Sequence, residues 1–139
     1  MIERTILIVK PDGVRRGLVG EIIRRVERKG LKITRLRMVY PTEKCIESLY
    51  DVHKGKPFYE DLVRFMSSGP IVAMIIEGDR AVNVVRGLVG PTDGREAPPG
   101  TIRGDYALSV RENVTHAADS TERAEYEIEL VFSDSCGFS

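Results

Sequence analysis

A chain of 139 residues, 42% hydrophobic and 30% charged, has the size and composition of one globular domain spanning residues 1–139. Its 21 basic and 21 acidic residues cancel, which argues against a general nucleic-acid or membrane-binding surface. The longest apolar runs, such as Ile71 to Ile76, are strand-length and too short to cross a bilayer.

The chain enters a strand-like run at once, with no signal peptide, so the cytoplasm is the expected compartment. Thr5 to Val9 is rich in β-branched residues and ends at Lys10-Pro11-Asp12-Gly13, a turn sequence. Leu18, Val19, Ile22, Ile23 and Val26 then recur at helical spacing, and Gly30 is placed to stop that helix. Leu31 and Ile33 alternate, as do Leu36, Met38 and Tyr40 one residue out of phase, so the next strand should contain a bulge. Thr42 caps an expected helix to about Tyr50, and Pro57 opens another through Met66. Ser67-Ser68-Gly69-Pro70 breaks that helix before a buried strand, Ile71 to Ile76, and Arg80 to Val89 is helical in pattern. Pro91 to Gly100 is too rich in proline and glycine for regular structure, and a loop of that length in a small domain is usually functional or interfacial. Asp119-Ser120-Thr121-Glu122 then reads as a cap and an acid opening a last helix to about Phe132.

Strands alternating with helices in this order predict an α+β, ferredoxin-like βαββαβ plan, a four-stranded antiparallel sheet covered by helices. Arg-Gly-Leu-Val-Gly occurs at Arg16 to Gly20 and again at Arg86 to Gly90, but nothing around it matches, so coincidence is the better reading. Cys45 and Cys136 lie far apart and form no metal-spaced cluster, so free thiols are expected. Asn113-Val114-Thr115 matches a glycosylation sequon without an export signal and is read as accidental.

The chemistry must be sought among few residues. Of two histidines, His53 sits in a charged, glycine-containing stretch and reads as a solvated loop residue. His116 follows Val114 and Thr115 and precedes the capped helix. A neutral imidazole there is a competent nucleophile toward phosphorus, and equally an ordinary hydrogen-bonded histidine at a strand end. Arg86, Arg95, Arg103 and Arg111, with Thr92 and Thr101, fall in and around the Pro/Gly-rich loop. Guanidinium forks and hydroxyls suit phosphate oxygens, though solvated loop arginines would look the same. Neither GxxxxGK[ST] nor a GxGxxG after a strand is present, so side chains would have to hold any nucleotide.

Several segments together resemble the nucleoside diphosphate kinase family from Arg4 to about Phe132. They are Lys10-Pro11-Asp12-Gly13, Arg16 to Glu21, Lys56-Pro57-Phe58-Tyr59, Ser68-Gly69-Pro70, Pro99 to Asp105, and Asn113-Val114-Thr115-His116 with Asp119-Ser120. The resemblance implies a ping-pong transfer of the γ-phosphoryl of a nucleoside triphosphate to a nucleoside diphosphate through phosphorylated His116. By position, His116 is the nucleophile, through Nδ1, and Glu127 holds the other ring nitrogen. Lys10, Thr92, Arg86 and Arg103 match phosphate ligands, and Tyr50 matches a residue beside the histidine. Asn113 matches one that binds the sugar hydroxyl with Lys10. Phe58 and Val110 match the base clamp, which implies broad base and sugar specificity. Mg²⁺ is the implied cofactor, held largely by phosphate oxygens and water rather than by protein ligands. The implied partners are nucleoside di- and triphosphates and further copies of the chain, commonly as a hexamer and sometimes a tetramer, with no nucleic acid and no membrane.

Two features depart from the family pattern. Ala117 and Ala118 stand where glycine and serine are usual, and the missing serine hydroxyl implies a working enzyme slowed roughly three- to tenfold. The segment after the last helix, Ser133 to Ser139, is short, and in many relatives it helps subunit contacts. A non-catalytic nucleotide-binding paralogue on the same fold is the alternative, although the nucleophile and every matched phosphate ligand are present. An RNA-binding module would need exposed aromatics and a basic face, against 6% aromatics and no net charge.

Overall fold

Thr5, Ile6, Ile8 and Val9 favour extended backbone. In a computed structural model describing Met1–Ser139 they lie in strand β1 (Ile2–Val9). β1 pairs antiparallel along its length with β3 (Ile71–Asp79), from Ile2 opposite Asp79 to Val9 opposite Val72. β2 (Lys32–Pro41) flanks β3, and their register shifts between Ile33 and Arg35, the bulge that the change of alternation predicted. β4 (Thr115–Ala117) flanks β1 and places His116 opposite Ile8. A fifth strand, β5 (Gly137–Phe138), pairs with the end of β2, giving the order β4-β1-β3-β2-β5. The ferredoxin-like plan holds, with one strand more than expected because two residues are too few to leave an alternating pattern.

The inner strands are apolar on both faces because helices cover both. Ile6, Ile8, Ala73 and Ile75 pack on one side with α3 (Glu43–Leu49), α4 (Tyr59–Met66) and α7 (Thr121–Val131). Leu7, Val9, Val72, Met74 and Ile76 pack on the other with α2 (Val19–Lys29) and α5 (Ala81–Val89). Helix ends follow the sequence closely. Gly30 stops α2 at φ 98°, the Thr42 side chain caps α3 by accepting from the Cys45 N–H, and Ser120 caps α7 by accepting from Arg123. Within Asp119-Ser120-Thr121-Glu122 the cap is Ser120. α4 begins at Tyr59, two residues after Pro57.

Two short helices were not expected. α1 (Pro11–Arg15) occupies the turn sequence, with proline at its first position where the missing N–H costs nothing. Gly13 is required there, since a Cβ would lie 2.7 Å from Val9 Cγ1. α6 (Ile102–Tyr106) closes the Pro/Gly-rich loop, capped by Thr101, and at five residues is too short for a periodic signal. The two Arg-Gly-Leu-Val-Gly segments play unlike parts: the first joins α1 to α2, the second ends α5.

The cysteines correct the expectation of free thiols. Cys45 on α3 and Cys136 after α7 are joined in a buried disulfide, with Cα atoms 5.0 Å apart. Separation in sequence says nothing about proximity once α3 and α7 pack on one face of the sheet.

Candidate active site

The ends of β1, β4 and α7, the turn after α3 and the loop after α5 converge on a cleft of about 570 Å³. Its floor is set by an unusual piece of backbone. Val114 has φ 75°, and the Thr115 N–H donates to the Asn113 carbonyl at 2.8 Å across it, a γ-turn. A β-branched residue in this region is strained by on the order of 1–3 kcal/mol and persists only where its surroundings over-determine it. They do so here: Val114 donates its N–H to buried Asp12 at 3.1 Å, and its carbonyl accepts from the Lys10 N–H at 2.8 Å. The turn thereby delivers Asn113, Thr115 and His116 to the cleft within four residues.

His116 Nε2 lies 2.7 Å from Oε1 of Glu127, a carboxylate 3% exposed on α7. An ionised carboxylate only accepts, so Nε2 carries the hydrogen and the lone pair of a neutral ring sits on Nδ1. The Tyr50 ring meets the imidazole edge-on, centroids 5.3 Å apart at 82°. The Tyr50 hydroxyl is buried without a partner, and burial, then Glu127, keeps it protonated by raising its pKa.

Three cations face this centre. Lys10, 4% exposed, donates to Asn113 Oδ1 at 2.8 Å and to the Arg111 carbonyl at 3.1 Å. Burial, reinforced by Arg103, lowers its pKa to about 7. Arg103 donates to the carbonyls of Gly90 at 3.0 Å and Thr115 at 2.7 Å, while its buried Nε has no partner. Burial and then Arg86 lower its pKa to about 10. Arg86 reaches only the Ala117 carbonyl, at 3.4 Å. All three hold neutral groups rather than carboxylates, an arrangement short of negative charge. Thr92 lines the same cleft, and its carbonyl accepts from Asn113 Nδ2 at 3.0 Å. Phe58 and Val110 stand at the mouth, each about half exposed.

Every residue matched on sequence therefore lines one cleft, whereas the loop arginines divide. Arg95 is exposed and bound to Asp93, and Thr101 serves as a helix cap. Arg111 lines the cleft with its guanidinium on Asp61 at 2.8 Å. His53 is not a free loop residue: it stacks on Tyr50, meets Phe58 edge-on at 5.2 Å, and belongs to the cleft wall. Burial and then Lys56 lower its pKa. Sequence reading missed Arg123, whose Nε donates to Glu127 Oε2 at 3.2 Å. Its place four residues before Glu127 on one helix was the available signal.

No group of three or more His, Cys, Asp or Glu side chains is arranged to hold a metal ion. Among the cleft carboxylates Asp61 and Glu127 are already paired, which leaves Asp119. That donor set fits a divalent cation arriving on phosphate oxygens and water.

Comparison with known proteins bears on the same cleft. The family model described as nucleoside diphosphate kinase matches residues 3–136. A nucleoside diphosphate kinase of Hyperthermus butylicus is 64% identical over 96% of this chain and 94% of its own length. That of Staphylothermus marinus is 63% identical over 95% and 94%. Among solved structures, a halophilic nucleoside diphosphate kinase from Halobacterium salinarum in complex with CDP superposes with a TM-score of 0.92. It is 43% identical over 100% of this chain and 93% of that one. The Aquifex aeolicus enzyme gives a TM-score of 0.92 at 41% identity, covering 99% of both chains.

Proposed function

The chain belongs to the nucleoside diphosphate kinase family, and on that premise we propose that His116 carries the phosphoryl group between nucleotides. The observation that carries this reading is a fixed Nε2 beside three cations without carboxylate partners, two of them, Lys10 and Arg103, buried. An imidazole with Nε2 held by Glu127 presents its lone pair at Nδ1, and Lys10, Arg86 and Arg103 supply charge that no carboxylate neutralises.

In the first half-reaction the Nδ1 lone pair attacks the γ-phosphorus of a nucleoside triphosphate. The N–P bond forms as the bond to the β,γ-bridging oxygen breaks, and that electron pair leaves on the nucleoside diphosphate. The ring gains positive character, which Glu127 stabilises from Nε2. In the second, a terminal oxygen of another diphosphate attacks the same phosphorus and the electron pair returns to Nδ1. Transfer of this kind asks chiefly for alignment and charge neutralisation, the service of Lys10, Arg86, Arg103 and Thr92. The buried Tyr50 hydroxyl is a further donor beside the ring. Mg²⁺, bound to the nucleotide phosphates, supplies additional charge neutralisation. Asn113, fixed between Lys10 and Thr92, faces the sugar.

Phe58 and Val110 sandwich the base through its faces, so purines and pyrimidines, ribose and deoxyribose, are all accepted. The CDP complex of the Halobacterium relative supports a pyrimidine diphosphate in such a cleft. The chain acts as a homo-oligomer: β2 presents Leu36, Met38 and Tyr40, each about half exposed, beside Phe138 on β5. We place it in the cytoplasm, although a buried disulfide is uncommon in that compartment. No helix is long and apolar enough to cross a membrane.

Brief incubation with γ-labelled ATP tests the proposal. An acid-labile, base-stable phosphoprotein that passes its label to added diphosphate is expected, and His116→Ala should do neither. Labelling and transfer by His116→Ala would refute it.

A further inference from the structure

Glu127 is buried and has two oxygens to satisfy. Oε1 accepts from His116, and Oε2 accepts from Arg123 Nε, one helical turn earlier on α7. Ala117 and Ala118, the residues following the histidine, offer no side-chain donor. The other Arg123 nitrogens are engaged at the end of α3: Nη1 with Asp51 Oδ1 at 3.1 Å and Nη2 with the Leu49 carbonyl at 2.9 Å. Its guanidinium also lies over the Tyr126 ring, 4.6 Å from the centroid. Although Arg123 lines the cleft, each of its nitrogens has a protein partner, unlike Arg103 with its orphaned Nε. Its fork is turned to Glu127 and α3 and not to a phosphate.

We propose that Arg123 is a positioning residue for phosphoryl transfer: it holds Glu127 Oε2 so that Oε1 keeps His116 in the Nε2–H tautomer with Nδ1 free. A buried carboxylate held at one oxygen can swing about its terminal torsion and lose its line to the ring. Held at both, by a cation fixed to a second helix, it cannot. The inference rests on the phosphohistidine reading but concerns the free enzyme as well.

The test compares the full chain with Arg123→Ala, Arg123→Lys and Asp51→Asn. Single-turnover phosphorylation at saturating ATP, nucleotide Kd and the imidazole ¹⁵N shifts of His116 are measured. Loss of a charge-assisted hydrogen bond should make Arg123→Ala roughly ten- to hundredfold slower. Nucleotide Kd should move less than about twofold, because the interaction is not with substrate. The ¹⁵N shifts should move toward the Nδ1–H tautomer. Arg123→Lys, a cation without the fork, should recover part of the rate. Asp51→Asn weakens the strut to α3 and a 3.4 Å bond from the Tyr126 hydroxyl, leaves the Arg123–Glu127 contact in place, and should stay within about threefold of the parent, as expected for an exposed ion pair. An Arg123→Ala protein with the parent's rate and tautomer overturns the inference. So does an Asp51→Asn protein as slow as Arg123→Ala, which would make Arg123 a strut between helices. Should Arg123→Ala fail to fold, Arg123→Lys decides in its place: it must lose rate and shift the tautomer while Asp51→Asn does neither. Absence of phosphorylation in the parent would refute the proposed function, and the tautomer measurement would still decide the role of Arg123.

Discussion

At the scale of single residues, Lys10 makes the sharpest claim. Its ordinary pKa of 10.5 falls to about 7 because burial and Arg103 oppose its charge. Below that value Lys10 is charged in both folded and unfolded chains. Between it and the ordinary value the unfolded chain binds the extra proton, so stability of the free protein rises with pH across that window. A phosphate beside Nζ reverses the penalty, so nucleotide binding should take up a proton. Calorimetry in two buffers of unlike ionisation enthalpy should show uptake approaching one proton near pH ~8.5 and little below pH ~6. Equal enthalpies in both buffers at the higher pH would contradict it. Ala118 makes a second claim. The family resemblance implies a slowed enzyme for want of a serine hydroxyl, yet Arg123 already satisfies the free oxygen of Glu127. Ala118→Ser should therefore change single-turnover phosphorylation by less than about threefold. A larger gain would mean that Arg123 does not replace the hydroxyl. Roles at this scale were legible only in part. His116 in isolation was as readable as a strand-end histidine, and the ordered motifs are what favoured the phosphoryl carrier. Arg123 and His53 were missed because their parts depend on what faces them across the cleft.

At the scale of elements, periodicity and caps served well for α2, α3, α5, α7 and the bulged β2, where a face of the element is apolar over several turns or pleats. They failed for α1, α6 and β5, which are too short to repeat and are held by what surrounds them. Gly104 in α6 illustrates this, since a Cβ there would sit 1.8 Å from the Pro98 carbonyl oxygen, a contact invisible in sequence. The γ-turn at Val114 is likewise tertiary, imposed by Asp12 and Lys10. The disulfide belongs to this scale because it ties α3 to the segment after α7. With the cysteines 91 positions apart, chain entropy alone gives the closed loop up to about 4–5 kcal/mol. Cys136→Ser should lower stability by about 2–4 kcal/mol, read as a fall in Tm that reductant reproduces in the parent. Thiol titration of the native, unreduced chain should find no reactive cysteine. A full complement of titratable thiols would contradict the bond.

At the scale of the whole molecule, a balanced charge and a helix-covered sheet leave few unsatisfied surfaces. The outer side of β2 is one of them. Only Tyr40 and Pro41 are paired to β5, so the edge from Lys32 to Val39 has no further strand beside it, and Leu36, Met38 and Tyr40 stand exposed along it. Met38→Glu should shift the sedimentation coefficient toward smaller species while leaving circular dichroism intact. An unchanged assembly would exclude this edge as the contact. One geometric relation carries the proposed chemistry: Glu127 holds Nε2 of His116, which would leave Nδ1 to take the phosphoryl group. The most direct measurement is therefore ¹⁵N–³¹P NMR of the phosphorylated chain after ATP is added and removed. The phosphorus should couple to Nδ1 of His116 and to no other nitrogen. A phosphoryl group on Nε2, on His53, or on any other side chain would contradict this mechanism.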